Sequence, residues 1–322
     1  MNSKPSLTVI VPLYAPTSDL AIGLVSHYKQ LIQRNEQFLL TIIISDCSPP
    51  DIFTKIEQAV ADSGIIHVAV TENIPDGDNK KLHAIDIALK YRTSRAVLIM
   101  DDDARPRIDD LAKMDKLLQE SRYVKCIPEY PAPSVFDYID ISGIFVVNMT
   151  SPHKQFWANI AFDVPTLLSV GFPEKNVLFD ELAIELAFRR GGHLCSYCDE
   201  VAIPMYSHRG FKKFWEQRLR YAYENMGYPM RFATHLLALP LLVAIGIKGA
   251  AYCACALIAI SLAVSLLSLA GQLKYDHGRH SRFTWMYAPL WFWPYVIMSW
   301  LSLFARLRGG VRFGPTRIKT AV

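Results

Sequence analysis

The chain has 322 residues, a formal net charge of +4 and a hydrophobic fraction of 51%, and its mean hydropathy is +0.17. This apolar content is too high for a purely soluble enzyme, and the length allows one large domain or two smaller ones. The positive charge is clustered beside the apolar segments, which favours contact with anionic lipid headgroups and argues against nucleic acid as a partner.

Strands and helices alternate in the N-terminal part of the sequence. Apolar runs predict strands at 7–14, 38–46, 65–71 and 96–100, and helices are predicted after Thr17, from about Ile52 and over 82–91. Alternation of this kind builds a parallel sheet with helices on both faces. Ligands of such sheets bind beyond the carboxyl ends of the strands, where Tyr14, Asp46 and Asp101 are expected.

Three adjacent carboxylates, Asp101, Asp102 and Asp103, follow the fourth predicted strand. Like charges in a row at a strand end repel each other unless a cation joins them. Carboxylate oxygens suit Mg²⁺ or Mn²⁺, which also bind phosphate oxygens. Asp101 and Asp103 are therefore predicted to hold such a cation together with a nucleotide diphosphate. The alternative is a cluster at a helix start that accepts hydrogen bonds from backbone N–H groups.

Long apolar segments occupy the C-terminal third of the chain. Residues 234–273 are long enough for two membrane-spanning helices, and 283–307 is rich in Trp, as in segments that lie along a membrane surface. The basic segments flanking them are typical of cytoplasmic loops, and the N-terminus lacks a signal-peptide pattern. We predict a multi-pass protein of the inner (cytoplasmic) membrane with two crossings, one interfacial or third helix and a cytoplasmic catalytic domain.

Several sequence motifs occur in one order along the chain. They are TVIVPLY, NKKLHAIDIAL with Lys81, MDDDARP, the block LLSVGFPEKNVLFDELAIELAFRRGGH and QRLRY. Together they resemble the family 2 glycosyltransferases, which are inverting enzymes with a GT-A fold. QRLRY resembles the Q-x-x-R-W signature of membrane-bound polysaccharide synthases such as cellulose, hyaluronan and chitin synthases, with Tyr in place of Trp.

The resemblance implies an α/β fold, with a GT-A, Rossmann-like nucleotide-sugar domain followed by C-terminal transmembrane and interfacial helices. The expected boundaries are 1–228 for the cytoplasmic GT-A domain, 229–307 for the membrane region and 308–322 for a basic cytoplasmic tail. The resemblance also implies that Asp46 contacts the nucleotide base. The other residues expected to bind the donor are Tyr14, Lys81, Asp101 and Asp102.

Asp180 and Glu181 occupy the acidic pair of the family, in reverse order. The resemblance places the general base, which takes the proton of the acceptor hydroxyl, at the second residue, Glu181, with Asp180 as the rival. The alternative is that both acids only favour the start of a helix.

The QRLRY segment supplies three further residues by resemblance. Arg220 would stabilise the charge of the leaving diphosphate, Gln217 would bind substrate, and Tyr221 would line the acceptor site. The alternative, a basic amphipathic helix lying on lipid, is compatible with these roles.

Three functions remain open at this stage. The first is a metal-dependent, hexosyltransferase-type enzyme that moves a sugar from a nucleotide-diphosphate sugar, expected to be a UDP-sugar, to a membrane-associated glycan, as in exopolysaccharide or capsule synthesis. The second is transfer of a single sugar to a lipid such as a polyprenyl phosphate or a glycolipid. Two crossings favour the second, because they make a poor export channel unless the chain forms a homo-oligomer or has a partner export subunit. The third is a degenerate transferase that serves as a membrane scaffold.

Overall fold

The computed structural model describes residues 4–321 except 16, 71–73, 152–153, 155–158, 207–209 and 314–315. The chain divides into two compact units that interleave along the sequence. The first unit is drawn from Met1–Glu129, Phe156–Lys175 and Asp180–Tyr206, and the second from Tyr130–Gln155, Asn176–Phe179 and Ser207–Val322. The boundaries expected at 228 and 307 concern the membrane and stay a prediction.

The first unit is built on a seven-stranded sheet. Its strands are β1 (Ser6–Leu13), β2 (Leu39–Asp46), β3 (Ile66–Ala69), β4 (Ala96–Ile99), β5 (Tyr123–Glu129), β6 (Ile160–Asp163) and β7 (Cys195–Pro204). Their spatial order is β3-β2-β1-β4-β6-β5-β7. The four strands predicted from the sequence, β1 to β4, are parallel as expected. The complete sheet is mixed, because β6 runs antiparallel to both β4 and β5. A short apolar run predicts a buried strand but carries no information about its direction.

Helices cover the sheet and form most of the second unit. They are α1 (Ser18–Arg34), α2 (Pro50–Val60), α3 (Lys80–Leu89), α4 (Ile108–Glu120), α5 (Val135–Thr150), α6 (Val164–Val170), α7 (Asp180–Arg190), α8 (Phe211–Glu224), α9 (Pro229–Lys248), α10 (Ala250–Tyr275) and α11 (Ala288–Leu307). In α1, Leu24, Tyr28 and Leu31 recur at helical spacing and are buried. Amphipathic helices of this kind bury one apolar face against the sheet and leave the other in solvent.

The parallel strands β1, β2 and β4 end at one edge of the sheet. Leu13 at the end of β1 lies beside Asp46 at the end of β2, and Ile10 lies beside Ile99 at the end of β4. The residues that follow these strands therefore share one edge, where a parallel α/β sheet binds its ligands.

In the second unit, α5 packs against α10 and α11. The Ser268 hydroxyl donates to the Ser142 carbonyl oxygen at 2.9 Å. A Cβ atom at Gly143 would lie 2.1 Å from Trp291 Nε1, so only glycine permits this approach of α5 to α11. The buried, largely apolar α5 is thus enclosed by helices that come much later in the chain.

The C-terminal segment, expected only as a basic tail, forms a hairpin of β8 (Val311–Phe313) and β9 (Thr316–Ile318). Val311 and Ile318 are buried in a cluster with Leu178 and Tyr223. The Tyr223 hydroxyl also donates to the Lys319 carbonyl oxygen at 2.5 Å. The hairpin is therefore an ordered part of the second unit.

Three helical segments are long and apolar enough to cross a membrane, namely Pro229–Lys248, Ala250–Tyr275 and Thr284–Leu307. The third is the most enclosed, with 39% of its most apolar window buried in the protein against 17% for each of the others. Less of its surface is therefore available to lipid. Whether it crosses the membrane or lies along it stays a prediction.

Candidate active site

Lys81 joins two acidic residues that are distant in the sequence. Its Nζ atom lies 2.7 Å from Asp101 Oδ1 and 2.9 Å from Asp180 Oδ2. Lys81 is in the first turn of α3, whose start is fixed because the Asn79 side chain accepts a hydrogen bond from the Lys81 N–H. Asp101 follows β4, and Asp180 is the first residue of α7. The structure thus brings together three of the predicted residues at the ligand-binding edge of the sheet.

The carboxyl groups around Lys81 have different proton affinities. Burial raises the pKa of Asp101 to about 6 and that of Asp180 to about 8, although Lys81 opposes both shifts. Burial acts on Glu181 in the same direction, but Lys81, a hydrogen bond with Asp180 and the charge of Lys125 lower its pKa. At neutral pH Asp180 therefore holds a proton, and Glu181 is ionised. Of the two acids, Glu181 is the one able to accept a proton.

Burial also acts to lower the pKa of Lys81 itself. The carboxylates of Asp101, Asp180 and Glu181 outweigh that effect and raise the pKa well above its ordinary value. Lys81 therefore stays charged throughout the physiological range. Its ammonium group is the fixed positive charge of the site.

The acidic turn after β4 carries two carboxylates that suit a divalent cation, Asp101 and Asp103. The Ala104 N–H donates to the Asp101 carbonyl oxygen at 3.0 Å, and the Tyr206 N–H donates to the Asp103 carbonyl oxygen at 2.9 Å, so the turn is held in place. Within the described parts of the chain, no group of three or more His, Cys, Asp or Glu is placed to hold a metal ion. Asp101 and Asp103 still fit a cation that takes its other ligands from a diphosphate and water, as Mg²⁺ commonly does.

Asp46, predicted to contact the nucleotide base, is buried at the end of β2. Its Oδ1 accepts a hydrogen bond from the Ser48 N–H at 2.7 Å, and its Oδ2 lies 3.0 Å from Nε2 of His67 on β3. Both oxygens already have partners within the protein, and each keeps a second lone pair. The predicted contact with a base stays a prediction. Tyr14 and Asp102, by contrast, are exposed. The histidine partner of Asp46 has no counterpart among the sequence predictions.

Sequence reasoning also missed contacts between β5 and the acidic helix α7. The Tyr123 hydroxyl donates to the Glu181 carbonyl oxygen at 2.8 Å, and Lys125 Nζ lies 2.8 Å from Glu185 Oε2. Lys125 and Glu185 are both buried. One available signal was the lysine within the otherwise largely apolar strand YVKCIPE.

Gln217, Arg220 and Tyr221 lie on α8 in the second unit and are half-buried. The Tyr221 ring stacks with Phe179 at a centroid distance of 5.9 Å, and the Arg218 guanidinium lies 5.0 Å from its centroid. Tyr221 is therefore held by residues of its own unit. Its predicted contact with an acceptor stays a prediction.

The fully buried arginine of α8 is Arg218, which lies within the QRLRY segment, two positions before Arg220. It forms an ion pair with Asp140 of α5, which is also fully buried. Its guanidinium lies over the rings of Phe214 and Tyr295, at 4.6 and 5.4 Å. Spacing alone could not show which arginine of QRLRY is structural.

Comparison with known proteins gives matches among solved structures only. No protein-family model matches the chain, and no curated protein matches its sequence. The mannosyltransferase PcManGT from Pyrobaculum calidifontis, in complex with GDP-Man and Mn²⁺, is similar over 94% of this chain and 88% of its own, with a TM-score of 0.58 and 19% identity. A complex of glucosyl-3-phosphoglycerate synthase from Mycobacterium tuberculosis with Mn²⁺, UDP and glucosyl-3-phosphoglycerate matches 64% of this chain and 72% of its own, with a TM-score of 0.44 and 15% identity.

The likeness to PcManGT extends over almost the whole chain, including the C-terminal apolar helices. At this level of identity, the likeness establishes the fold. It confirms the prediction of an α/β domain followed by apolar helices. The chain has the GT-A-type fold, with three C-terminal helices that are candidates for crossing a membrane.

Proposed function

We propose that the chain is an inverting glycosyltransferase that moves a sugar from a nucleotide-diphosphate sugar to a membrane-associated acceptor. The cluster of Lys81, Asp101 and Asp180 at the ligand-binding edge of a GT-A-type sheet carries the proposal. Glu181 adds an ionised carboxylate beside it. A base for the acceptor hydroxyl, a fixed cation and carboxylates for a metal suit transfer from a diphosphate donor.

In the proposed reaction the acceptor hydroxyl attacks the anomeric carbon of the donor sugar. Glu181 takes the hydroxyl proton as the new C–O bond forms, and the nucleotide diphosphate leaves from the opposite face, which inverts the configuration. Mg²⁺ or Mn²⁺ bound through Asp103 and Asp101 would neutralise charge on the departing diphosphate. By family resemblance, Arg220 would stabilise the charge of the same diphosphate, and Gln217 would bind substrate. Lys81 keeps Asp101 and Asp180 in place.

The donor is proposed to be a UDP-sugar, from the family resemblance. GDP-mannose is the second candidate, because a solved structure that is similar in fold over 94% of this chain is a mannosyltransferase in complex with GDP-Man and Mn²⁺. The two are separated by a donor screen with the full-length protein in nanodiscs, measuring release of UDP or GDP in the presence of Mn²⁺. Release from neither class of donor would contradict the proposed function and favour the alternative of a membrane scaffold.

The acceptor is proposed to be a membrane-associated glycan, with a lipid such as a polyprenyl phosphate or a glycolipid as the alternative. The apolar helices support an acceptor at the membrane in either case. Product length separates the two, because a glycan-extending enzyme gives a ladder of products on a gel and a lipid glycosyltransferase adds one sugar. We further propose an inner-membrane location with a cytoplasmic active site.

A further inference from the structure

Two side chains of β5 hold the first turns of α7 from the same face of the strand. Tyr123 and Lys125 are two positions apart, so both point to one side of the sheet. The Tyr123 hydroxyl donates to the Glu181 carbonyl oxygen, and Lys125 pairs with Glu185, one turn further along α7. Tyr123 is fully buried and Lys125 is 5% exposed. The turn that carries Glu181 is therefore held to the sheet at two points.

Glu185 has more cationic partners than its own charge requires. Besides Lys125 it accepts a hydrogen bond from Arg189 Nε at 2.8 Å and another from the Tyr197 hydroxyl. Lys125 and Arg189 thus both place positive charge beside Glu185, one turn after Glu181. Arg189 is partly exposed and screened by solvent, whereas Lys125 is not. The charge of Lys125 is among the causes that lower the pKa of Glu181.

Fold stability alone is a weak explanation for the burial of Lys125 and its ion pair with Glu185. Burying an ion pair has a desolvation cost that its attraction often only offsets, and well-packed apolar residues of similar volume are frequently as stable. A buried lysine within an apolar strand is therefore better explained by the charge that it places near the acidic pair.

We propose that Lys125, supported by Tyr123, is a positioning residue for Glu181, fixing the first turn of α7 and placing a positive charge near its carboxylate. The inference rests on the proposed function, in which Glu181 is the base. The groups that face Glu181 are Lys81 of α3, Asp101 after β4, Asp180 of α7, and Tyr123 and Lys125 of β5.

The test is the pH dependence of kcat for the full-length protein in nanodiscs, at saturating donor and divalent cation. Lys125→Met should move the acidic limb of the kcat profile to higher pH by about one unit. This is the lower end of the pKa shift that a nearby charge causes in a carboxyl group. Glu185→Gln should move it to lower pH, because Lys125 then acts on Glu181 without its counter-charge. General loss of folding cannot produce shifts of opposite sign.

Two further variants complete the experiment. Tyr123→Phe removes a hydrogen bond but no charge, so it should lower kcat by roughly 10-fold through misplacement of Glu181 and leave the limb in place. Lys113→Met, which removes an exposed lysine of α4, is the matched control and should match wild type. Donor KM should change little in all four variants.

The outcomes separate the two proposals. A wild-type protein without turnover of any donor would overturn the proposed function and this inference with it. If the wild type is active and both Lys125→Met and Glu185→Gln keep its acidic limb, the inference alone would be overturned. If Lys125→Met does not fold, the other two variants still test the inference. It then requires a shift of the acidic limb to lower pH in Glu185→Gln and a reduced kcat in Tyr123→Phe.

Discussion

The Lys81 ammonium group lies 2.9 Å from Asp180 Oδ2, and this contact joins the first turns of two helices, α3 and α7. The positive charge of Lys81 is disfavoured at a helix N-terminus. Asp101 offsets that cost with a second contact to the same ammonium group. The charges of the site and the placement of both helices are therefore coupled.

The first prediction concerns stability and pH in the absence of metal. The folded protein binds the protons of Asp101 and Asp180 more tightly than the unfolded chain does, because their pKa values are raised to about 6 and about 8. Their contribution is complete below the ordinary Asp range and is lost as pH rises through 6 and 8. The melting temperature in EDTA should therefore fall by about 5 °C between pH 5 and pH 8.

Asp180→Asn removes the group responsible for the upper part of this window. Melting curves of the variant in EDTA should therefore be flatter between pH 6 and pH 8 than those of wild type. A wild-type melting temperature that rises steadily over the window would show that the raised pKa values are incorrect.

The second prediction concerns the divalent cation. Chelation with EDTA should abolish sugar transfer, and Mn²⁺ or Mg²⁺ should restore it, because the diphosphate would otherwise leave without charge neutralisation. Asp103→Asn should weaken binding of the nucleotide diphosphate in calorimetry, whereas Asp109→Asn, an exposed acid in the first turn of α4, should not. Full activity in chelator would rule out the metal role.

The third prediction separates the two acids of α7. Glu181→Gln keeps the size of the side chain but cannot accept a proton, so we expect transfer to fall by roughly 10²–10⁴-fold, the usual contribution of general-base catalysis. Binding of the donor should be nearly unchanged. A large loss in Asp180→Asn with little effect of Glu181→Gln would reverse the assignment of the base.

The fourth prediction concerns the buried ion pair of Arg218 and Asp140. Asp140→Asn leaves a buried guanidinium without its counter-charge, and we expect a loss of about 3 kcal/mol in stability. Replacing both residues, as Asp140→Leu with Arg218→Met, should recover much of this loss. Thermal unfolding in detergent measures both effects, with Glu216→Gln on the exposed face of α8 as control. Equal melting temperatures for Asp140→Asn and wild type would refute the predicted loss of stability.

The sequence predicted the edge of the sheet better than the contacts made there. Apolar runs that stop at Asp46 and Asp101 placed both residues at strand ends, because parallel strands end together. The meeting of Lys81 with Asp180 was accessible only through the order of family-like motifs, since no local pattern links residues so far apart. Family resemblance likewise gave the GT-A-type fold.

Other features could not be predicted from the local sequence, for physical reasons. The direction of β6 depends on the path of the chain between strands, which hydrophobicity does not encode. Arg218 and Arg220 look alike in sequence, and only packing against Asp140 makes one of them structural. Lys125 and Glu185 are paired by the fold across a strand and a helix. A buried charged side chain can be predicted only when the partner that compensates its charge is known.

The position of α5 in the chain has a consequence for biogenesis. Ser142 and Asn148 of α5 contact Ser268 and Tyr275, which lie 126 and 127 residues later. At ordinary rates of translation, about 6–25 s separate the synthesis of α5 from that of its partners in α10. During that interval a largely apolar helix is without its neighbours and open to aggregation or to premature insertion into the bilayer. The yield of folded protein in a cell should therefore depend on the speed of elongation and on chaperones that shield the nascent chain.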